Sequence, residues 1–487
     1  MVLDDRQKQV GKDNYADAMR LTRRQMLTGA LAVPTATGMY FGYEHMEGGP
    51  VKAALIGTGN QGCYAHIGQS NPEFVKFVAF SDIRPSNIAR GRQYFRDKYG
   101  PEAQSIRHYD SYEEMIDKEE EVELVVIALP LFLHAPATSY ALKKGKHVLC
   151  EKLMAGTVQE CKEMVRAGDE AQRFLAIGHQ RHYSYMYANA LSIIEQKILG
   201  DIRHIRAYWH RNQTINPATG VPGAEGAEMG KFDSWYPGIP AEDSNVDFKK
   251  FGYDSIEQLV RWRVDTRTGG GLMVELGSHQ LDACSIFLKH ALPKAVHGTG
   301  VISFFKNDRQ VPDHVFLIYE YDKKDNDAVV MYSSISTNTF EGYGEQVMGT
   351  KGTLILNSEA EAYLFAENAD KNTRISWAEA RVSRPAAASG STRQWGGAVT
   401  VADTLSSRGY REEQEHLAWL IRNVKQPDGN PEHMPRCHGR VALSDAVVTL
   451  VSNLAMKHER RVAFKPEWFD PASDAVPETD PDVIGKA

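Results

Sequence analysis

The feature that most constrains this chain is the glycine pattern Gly57-x-Gly59-x-x-Gly62, which directly follows an apolar run at 51–56. A second apolar run, at 75–80, leads to Asp82. Glycines at this spacing, between a strand and a helix, let the backbone turn tightly and approach a pyrophosphate, and the helix N-terminus attracts that anion. The pattern therefore predicts a dinucleotide-binding domain.

Apolar runs and helical patterns alternate through the first part of the chain. Strands are predicted at 51–56, 75–80, 124–128, 146–150 and 174–177. Helices are predicted between them at 85–99, 111–117, 133–144 and 156–171. Strands that alternate with helices imply right-handed crossovers and a parallel sheet, so this part is predicted to be an α/β Rossmann domain.

A different pattern begins after residue 180, where a helix at 184–198 and an alternating strand at 201–211 open a second domain. Further strands are predicted at 295–305, 313–322, 327–336 and 345–356. Helices are predicted at 410–424 and 438–457. Successive strands without helices between them predict an α+β domain with a large open, mainly antiparallel sheet.

These patterns divide the chain into four predicted parts. Residues 1–50 form a leader and linker, 51–180 the cofactor domain, 181–436 the substrate domain, and 437–487 a C-terminal helix with a surface tail. The stretch 212–262 is rich in Gly, Pro and Asp, and is predicted to be an insertion near the site.

The position of Asp82 at the end of the second strand bears on the choice of cofactor. A carboxylate there accepts hydrogen bonds from the adenosine ribose hydroxyls and repels a 2′-phosphate, which favours NAD over NADP. Arg84 lies close enough to bind such a phosphate, so NADP stays open. The candidate residues of this part of the cofactor site are Gly57, Thr58, Gly59, Asn60, Gln61, Gly62, Asp82, Ile83 and Arg84.

Two further segments indicate a family. The first, 128–152, contains a strand that ends in Glu151-Lys152, and the second, 269–282, begins with three glycines and holds Glu275 and His279. With the glycine pattern before them, these segments closely resemble the Gfo/Idh/MocA oxidoreductases, which include glucose–fructose oxidoreductase and inositol dehydrogenase.

The resemblance implies a set of functional residues. Lys152 matches the family lysine that lies beside the nicotinamide, and His279 matches the catalytic histidine. Leu153 replaces the proline of the family's Glu-Lys-Pro, and Glu275 stands where the family usually has aspartate. Further cofactor contacts are implied for Leu129, Pro130, His134, Glu151 and Lys152. The family also implies that the helix at 438–457 returns to the cofactor domain and that the open sheet forms a homo-oligomer.

The chemistry of alcohol oxidation suits these residue types, because it needs a base for the hydroxyl proton and an acceptor for the hydride. We expect His279 to be the base, Glu275 to orient it from the same helix face, and Lys152 to hold the substrate oxygen. The roles of Lys152 and His279 could be exchanged. The candidate sugar contacts are Arg181, His182, Tyr183, Trp209, Arg211, Trp262 and His279.

Composition excludes several other partners. The net charge of −7 gives no global basic field, so neither nucleic acid nor an anionic membrane is expected to bind. The five cysteines contain no C-x-x-C, and no His/Cys/Asp cluster has metal-ligand spacing along the chain, so no metal is expected.

Three functions stay open. The first is an NAD(P)-dependent oxidoreductase acting on a sugar, polyol or sugar derivative. The second is a redox-assisted glycosidase or lyase, as in family relatives that oxidise a sugar carbon, eliminate the glycosidic group, add water and re-reduce. The third is a catalytically silent sugar sensor or scaffold, against which the retention of Lys152 and His279 argues.

The N-terminus indicates export. Arg23-Arg24 precedes an uncharged run from Met26 to about Tyr43, an order that resembles a twin-arginine signal. We therefore expect a periplasmic or extracytoplasmic protein, a contact with the twin-arginine machinery during export, and either release or retention by an uncleaved anchor. Because this route moves folded proteins, the cofactor would be loaded in the cytoplasm and retained.

Replacing Arg23 and Arg24 by lysine should trap the protein in the cytoplasm, because the paired guanidinium groups are the recognition element of the signal. Cell fractionation followed by immunoblotting measures the distribution. A matched exchange of Lys8 and Lys12 for arginine should leave export unchanged. An unchanged distribution in the Arg23→Lys/Arg24→Lys variant would show that this segment is an ordinary N-terminal arm.

Overall fold

A computed structural model describes residues 3–27, 41, 43, 46, 48–214, 233–322, 327–367 and 407–485. Its first domain is built on a six-stranded sheet in the order β3-β2-β1-β4-β5-β6 in which every neighbouring pair is parallel. The strands are β1 (Val51–Ile56), β2 (Val75–Ser81), β3 (Arg107–Tyr109), β4 (Leu124–Ile127), β5 (His147–Glu151) and β6 (Leu175–Gly178). The predicted Rossmann domain is confirmed.

Helices cover both faces of this sheet, which explains why its central strands are apolar along their whole length. Leu124–Ile127, for example, is buried at every position. The helices are α2 (Pro85–Tyr99), α3 (Tyr112–Lys118), α4 (His134–Lys143) and α5 (Val158–Ala171). The segment after the glycine pattern, predicted as a helix, is a π-helix at Gly62–Gly68. The short strand β3 was not predicted.

The second domain is built on an eight-stranded sheet in the order β13-β12-β11-β7-β10-β9-β8-β14. The β7–β10 pair is parallel and the other pairs are antiparallel, so the predicted mainly antiparallel sheet is confirmed. The strands are β7 (Ile202–His210), β8 (Ala295–Val301), β9 (His314–Glu320), β10 (Val329–Ile335), β11 (Tyr343–Gly349), β12 (Gly352–Asn357), β13 (Glu361–Ala366) and β14 (Val462–Ala463).

The run predicted as a single strand at 345–356 is a hairpin of β11 and β12, which turns at Thr350 and Lys351. The run Gly349-Thr350-Lys351-Gly352 interrupts the apolar side chains and is a turn signal that the prediction overlooked. The strand β13, which pairs with β12, was also not predicted.

One face of the second sheet packs against a π-helix at Met273–Gly277 and α8 (Ser278–Phe287), and α6 (Tyr185–Glu195) packs on α8. The short helix α7 (Ile256–Val260) lies in the predicted insertion. The other face is exposed over β9 and β10, but the N-terminal helix covers it at β12 and β13, where Ile355 and Phe365 are buried. Along β9 and β10, Val315 and Val330 point into the core, whereas Phe316 and Met331 are 43% and 44% exposed.

The last part of the chain returns to the first domain. Helix α9 (Tyr410–Asn423) contacts β1, β2 and β6, and α10 (Gly439–Lys457) packs between α5 and β8. The segment after Pro466, expected to be a surface tail, is anchored instead. Its short helices α11 (Pro466–Phe469) and α12 (Pro481–Ile484) bury Trp468 and Val483.

The N-terminal helix α1 (Asp5–Leu27) includes positions 23 and 24 and lies against β13. Lys12 Nζ lies 2.6 Å from Glu361 Oε1, and Asn14 Nδ2 donates to the Leu364 carbonyl at 3.0 Å. The apolar run that follows it falls almost wholly outside the described residues. Within the described ranges, no helix combines the length and apolar character that a membrane span requires.

Lys162 fixes the C-terminal segment on α5. Its buried Nζ donates to the carbonyl oxygens of Glu467, Ser473 and Ala475 at 2.7, 2.9 and 2.7 Å. Lys162→Met should lower the free energy of unfolding by about 2–3 kcal/mol, because buried carbonyls lose a charged donor. Urea denaturation measures the change. Lys143→Met, at an exposed position of α4, is the control and should change stability by less than about 0.5 kcal/mol; equal effects in both variants would contradict the anchoring role.

Candidate active site

A cavity of about 870 Å³ lies between the two domains. Its lining includes the segments that follow the carboxyl ends of β1, β2, β4 and β5, where open α/β sheets bind their ligands. From the second domain come Glu275 and His279, together with aromatic residues of the insertion. The cavity therefore extends from the glycine pattern to the predicted catalytic residues.

The three glycines have different roles. Gly57 has φ +94°, and a Cβ there would lie 2.4 Å from the Ala128 carbonyl oxygen. A Cβ on Gly62 would lie 2.0 Å from the Gly57 oxygen. Around Gly59 the nearest atom is Asn87 Nδ2 at 4.0 Å, so this backbone is open towards the cavity. The loop therefore fits a pyrophosphate that approaches at Gly59.

Asp82 fixes the shape of this loop. Its Oδ2 accepts from the Thr58 backbone N–H at 2.8 Å, and its Oδ1 accepts from the Arg84 N–H at 2.9 Å. Burial raises the pKa of this carboxyl, and the bonds to Arg84 and Thr58 oppose that rise. Asp82 also lines the cavity, so the position expected to contact a ribose is retained.

Arg84, the residue that kept NADP open, is held by a carboxylate. Its Nε and Nη2 lie 2.9 and 2.8 Å from Asp243 Oδ2, within the predicted insertion. Ser86 donates to the same carboxylate through its backbone N–H and its hydroxyl. The guanidinium charge is therefore already matched, which weakens its attraction for a 2′-phosphate.

Lys152 spans the two domains. It follows β5, and its Nζ donates to the backbone carbonyls of Val274 and Glu275 at 3.1 and 2.7 Å. Burial lowers the pKa of Lys152, while the carboxylates of Glu275 and Glu151 oppose this. The Lys152–Leu153 peptide bond is cis.

His279 lies opposite on α8, with its ring 5.5 Å from the ring of Trp209. Burial and the nearby charges of Lys152 and Arg181 lower the pKa of His279 well below its ordinary value. The imidazole is therefore neutral near pH 7 and has a lone pair for a proton. Arg181 Nη1 donates to the His279 backbone carbonyl at 2.6 Å, which fixes this part of the helix.

Glu275 differs from its expected role as the residue that orients His279. It lies in the π-helix, and its Oε2 accepts from Arg263 Nε at 2.7 Å. Burial raises the pKa of Glu275, but Arg263 and Lys152 outweigh burial and leave it below its ordinary value. Glu275 thus contributes a negative charge beside Lys152.

Most of the residues predicted from sequence line this cavity. These are Gly57, Gly59, Asn60, Gln61, Asp82, Ile83, Arg84, Leu129, Pro130, His134, Glu151, Lys152, Trp209, Trp262, Glu275 and His279. Thr58 and Gly62 do not line the cavity, but they fix the shape of the glycine loop. The orientation of the His134 ring is fixed by the backbone, because its two ring nitrogens each lie 2.8 Å from a carbonyl oxygen, that of Leu153 or of Leu129.

Four predicted sugar contacts lie behind the described cavity wall instead. Arg181 is ion-paired with Glu345 and Glu359, and Tyr183 bonds to His416 Nδ1 at 2.7 Å. His182 bonds to Asp282, and Arg211 stacks on the ring of Trp235 at 5.1 Å. These residues support the site rather than contact its contents.

Several lining residues were not predicted. They are Tyr253, Arg261, Arg263, Arg408 and Tyr410. The first three lie in or directly after the insertion, where no motif marks them, although the aromatic and arginine content around Trp262 was a usable signal. Arg408 and Tyr410 reach the cavity from the start of α9, more than a hundred residues after His279.

Both domains match known family models. A model described as an oxidoreductase family with an NAD-binding Rossmann fold, GFO_IDH_MocA, matches residues 51–179. The model of the GFO/IDH/MocA C-terminal domain matches residues 246–355. The first domain is thus an NAD-binding Rossmann domain, as predicted.

Curated relatives include hydrolases and oxidoreductases. An α-N-acetylgalactosaminidase of Bacteroides fragilis is 26% identical over 166 residues, which are 34% of this chain and 39% of that protein. An uncharacterized oxidoreductase of Schizosaccharomyces pombe is 24% identical over 317 residues, 63% of this chain and 70% of that protein. The chain thus spans only 39% of the length of the first curated relatives that it matches.

Solved structures show the same fold. An inositol dehydrogenase homolog from Azotobacter vinelandii, complexed with NAD⁺, has a TM-score of 0.61 at 17% identity and covers 86% of this chain and 98% of that chain. An aldose-aldose oxidoreductase from Caulobacter crescentus has a TM-score of 0.55 at 18% identity and covers 85% and 100%.

Asp243→Asn should increase affinity for NADPH by about tenfold while changing NADH affinity little, because it releases the Arg84 guanidinium for a 2′-phosphate. Fluorescence titration of stripped protein with each nucleotide measures both constants. Glu242→Gln, at the exposed neighbouring position, is the control. A parallel change in both affinities would mean that Asp243 shapes the whole pocket rather than restraining Arg84.

Proposed function

Because this chain has the two-domain fold of the Gfo/Idh/MocA oxidoreductases, we propose that it oxidises or reduces a sugar, polyol or sugar derivative with NAD as a retained cofactor. The observation that carries the proposal is the convergence of Lys152 and His279. One follows a strand of the NAD-binding domain, the other lies on a helix of the second domain, and both line one cavity.

The electrostatics give these two residues different roles. His279 is neutral, so it takes the hydroxyl proton of the substrate. Lys152, beside the carboxylates of Glu151 and Glu275, holds the substrate oxygen and stabilises negative charge that develops on it. Bound NAD would supply the hydride acceptor for the carbon that carries this oxygen.

The carboxylates of Glu151 and Glu275 hold the elements around Lys152 in place through hydrogen bonds. Glu151 Oε1 lies 2.7 Å from Gln61 Nε2 and 3.0 Å from His66 Nε2, so the end of β5 is tied to the glycine loop. Glu275 is tied to Arg263. Trp209 and Trp262 also line the cavity, and aromatic rings of this kind suit the C–H surface of a sugar.

A second candidate is redox-assisted hydrolysis of a glycoside. The names of several curated relatives favour this candidate. These relatives are named glycosyl hydrolase family 109 proteins and, in one case, an α-N-acetylgalactosaminidase. The same two residues would serve, since removal and return of a proton beside the oxidised carbon need the same base. In that case the sugar undergoes no net oxidation.

The exposed apolar residues of the second sheet support assembly through that face. Phe316, Val329 and Met331 lie on adjacent strands and are each about two-fifths exposed. A homo-oligomer would remove them from water. Twin-arginine export remains a proposal that rests on Arg23-Arg24, and it fits a protein that carries its cofactor out already bound.

The test is single-turnover reduction of bound NAD by a panel of sugars, followed through nicotinamide absorbance. Lys152→Met and His279→Ala should each slow the reaction about 10²–10⁴-fold while leaving dinucleotide binding nearly intact. The double variant should be little slower than the worse single variant, because the two groups act as a unit.

Lys250→Met is the control, since this lysine also lines the cavity but at a solvent-exposed position. Product analysis on glycosides separates the two candidates: free sugar without net change in NADH indicates hydrolysis. Wild-type rates in both single variants would remove these residues from the mechanism and favour a silent sensor.

A further inference from the structure

A cluster of polar side chains lies behind the active site, around the predicted sugar contact His182. His182 Nε2 lies 2.7 Å from Asp282 Oδ1 on α8. Cys437 precedes α10 and Asp445 lies on it. The ligand atoms of His182, Cys437 and Asp445 all lie within 4.8 Å of one another. Among the described residues, none of these four lines the cavity.

The cluster contains buried atoms whose hydrogen-bonding capacity is unused. Asp282 and Asp445 are 0% and 3% exposed, yet the Oδ2 atom of each lacks a hydrogen-bond partner among the described residues. His179 lies beside this cluster and is fully buried, and neither of its ring nitrogens has a hydrogen-bond partner among the described residues. Its Nδ1 lies 3.7 Å from Asp282 Oδ2. Leaving such groups without a partner in a buried site is energetically costly, so each calls for an explanation.

The carboxylates Asp282 and Asp445 interact with each other in this buried space. Arg181, the guanidinium that acts on Asp282, is already paired with Glu345 and Glu359. A bound cation would use the Asp445 oxygen that lacks a hydrogen-bond partner.

We propose that this cluster binds one divalent transition-metal ion, with zinc as the best match. An imidazole, a thiolate and a carboxylate form a mixed donor set that zinc accepts in tetrahedral geometry. The ligands are His182, Cys437 and Asp445, and a water molecule would take the fourth position, because Asp282 is hydrogen-bonded to His182 and does not belong to this group of atoms. Binding releases the thiol proton of Cys437 to solvent, so affinity rises with pH.

The site would join three elements that position the catalytic base. Asp282, which is hydrogen-bonded to the ligand His182, lies three residues after His279 on α8, and His182 directly follows Arg181, which holds the His279 carbonyl. Cys437 and Asp445 add the C-terminal helix, whose start bonds to β6 through Ile177 N–H and the Cys437 carbonyl at 2.9 Å. The metal is therefore structural, and the proposal is independent of the reaction that the cavity performs.

The experiment loads the purified, tag-free full-length protein with Co²⁺ as a spectroscopic substitute for zinc. We expect one metal ion per chain by elemental analysis, visible bands of tetrahedral Co²⁺, and a near-ultraviolet thiolate-to-cobalt band. Cys437→Ala should abolish the thiolate band, and Asp445→Asn should weaken binding at least about 100-fold. Cys161→Ala, which removes another buried cysteine on α5, is the control and should retain both signals.

Thermal unfolding provides a second readout. Zinc should raise the melting temperature of the wild-type protein and of Cys161→Ala, but not that of Asp445→Asn. Asp445→Asn keeps the side-chain volume, so its own melting temperature reports whether it folds. Absence of bound metal in the wild-type protein, or a cobalt spectrum that Cys437→Ala and Asp445→Asn leave unchanged, would overturn the proposal.

Discussion

The arrangement of the active site depends on one buried cation, Arg181. Its side chain is inaccessible to solvent, and it donates to the His279 carbonyl, to Glu345 Oε1 and to Glu359 Oε1. Tyr187 and the two glutamates outweigh burial and raise the pKa of Arg181 well above its ordinary value. Removing one partner of such a group leaves an uncompensated buried charge, so the turn Gln180–Tyr183, α8 and the second sheet are held as one unit.

A second constraint links the first domain to the second. Lys152, which follows the last residue of β5 in the parallel sheet, donates to the carbonyls of Val274 and Glu275 in the π-helix that precedes α8. The lysine and the histidine are thus not independently placed. Arg181 sets the backbone of His279, and Lys152 bonds to the turn immediately before it, so their separation is fixed by hydrogen bonds to backbone atoms.

The sequence predicted the elements whose signal is local. The glycine pattern and the predicted apolar strands of the first sheet follow from short stretches of chain and have their predicted places, and Lys152 and His279, found from two short motifs, both line the cavity. What could not be predicted were pairings between distant residues. Asp243 neutralises Arg84 across more than 150 positions, and Arg263, rather than His279, takes the carboxylate of Glu275. His182 was assigned to the sugar because nothing local shows that Asp282 lies beside it.

The chain on either side of the undescribed stretch 368–406 is firmly held. The Glu367 N–H donates to the Lys351 carbonyl at 2.8 Å, just after β13. Gly409, with φ +94°, packs so closely that a Cβ would lie 2.0 Å from the Gln180 carbonyl oxygen. The place of Arg408 and Tyr410 in the cavity wall therefore depends on the close contact at Gly409, and any side chain at this position would push both residues away from the site.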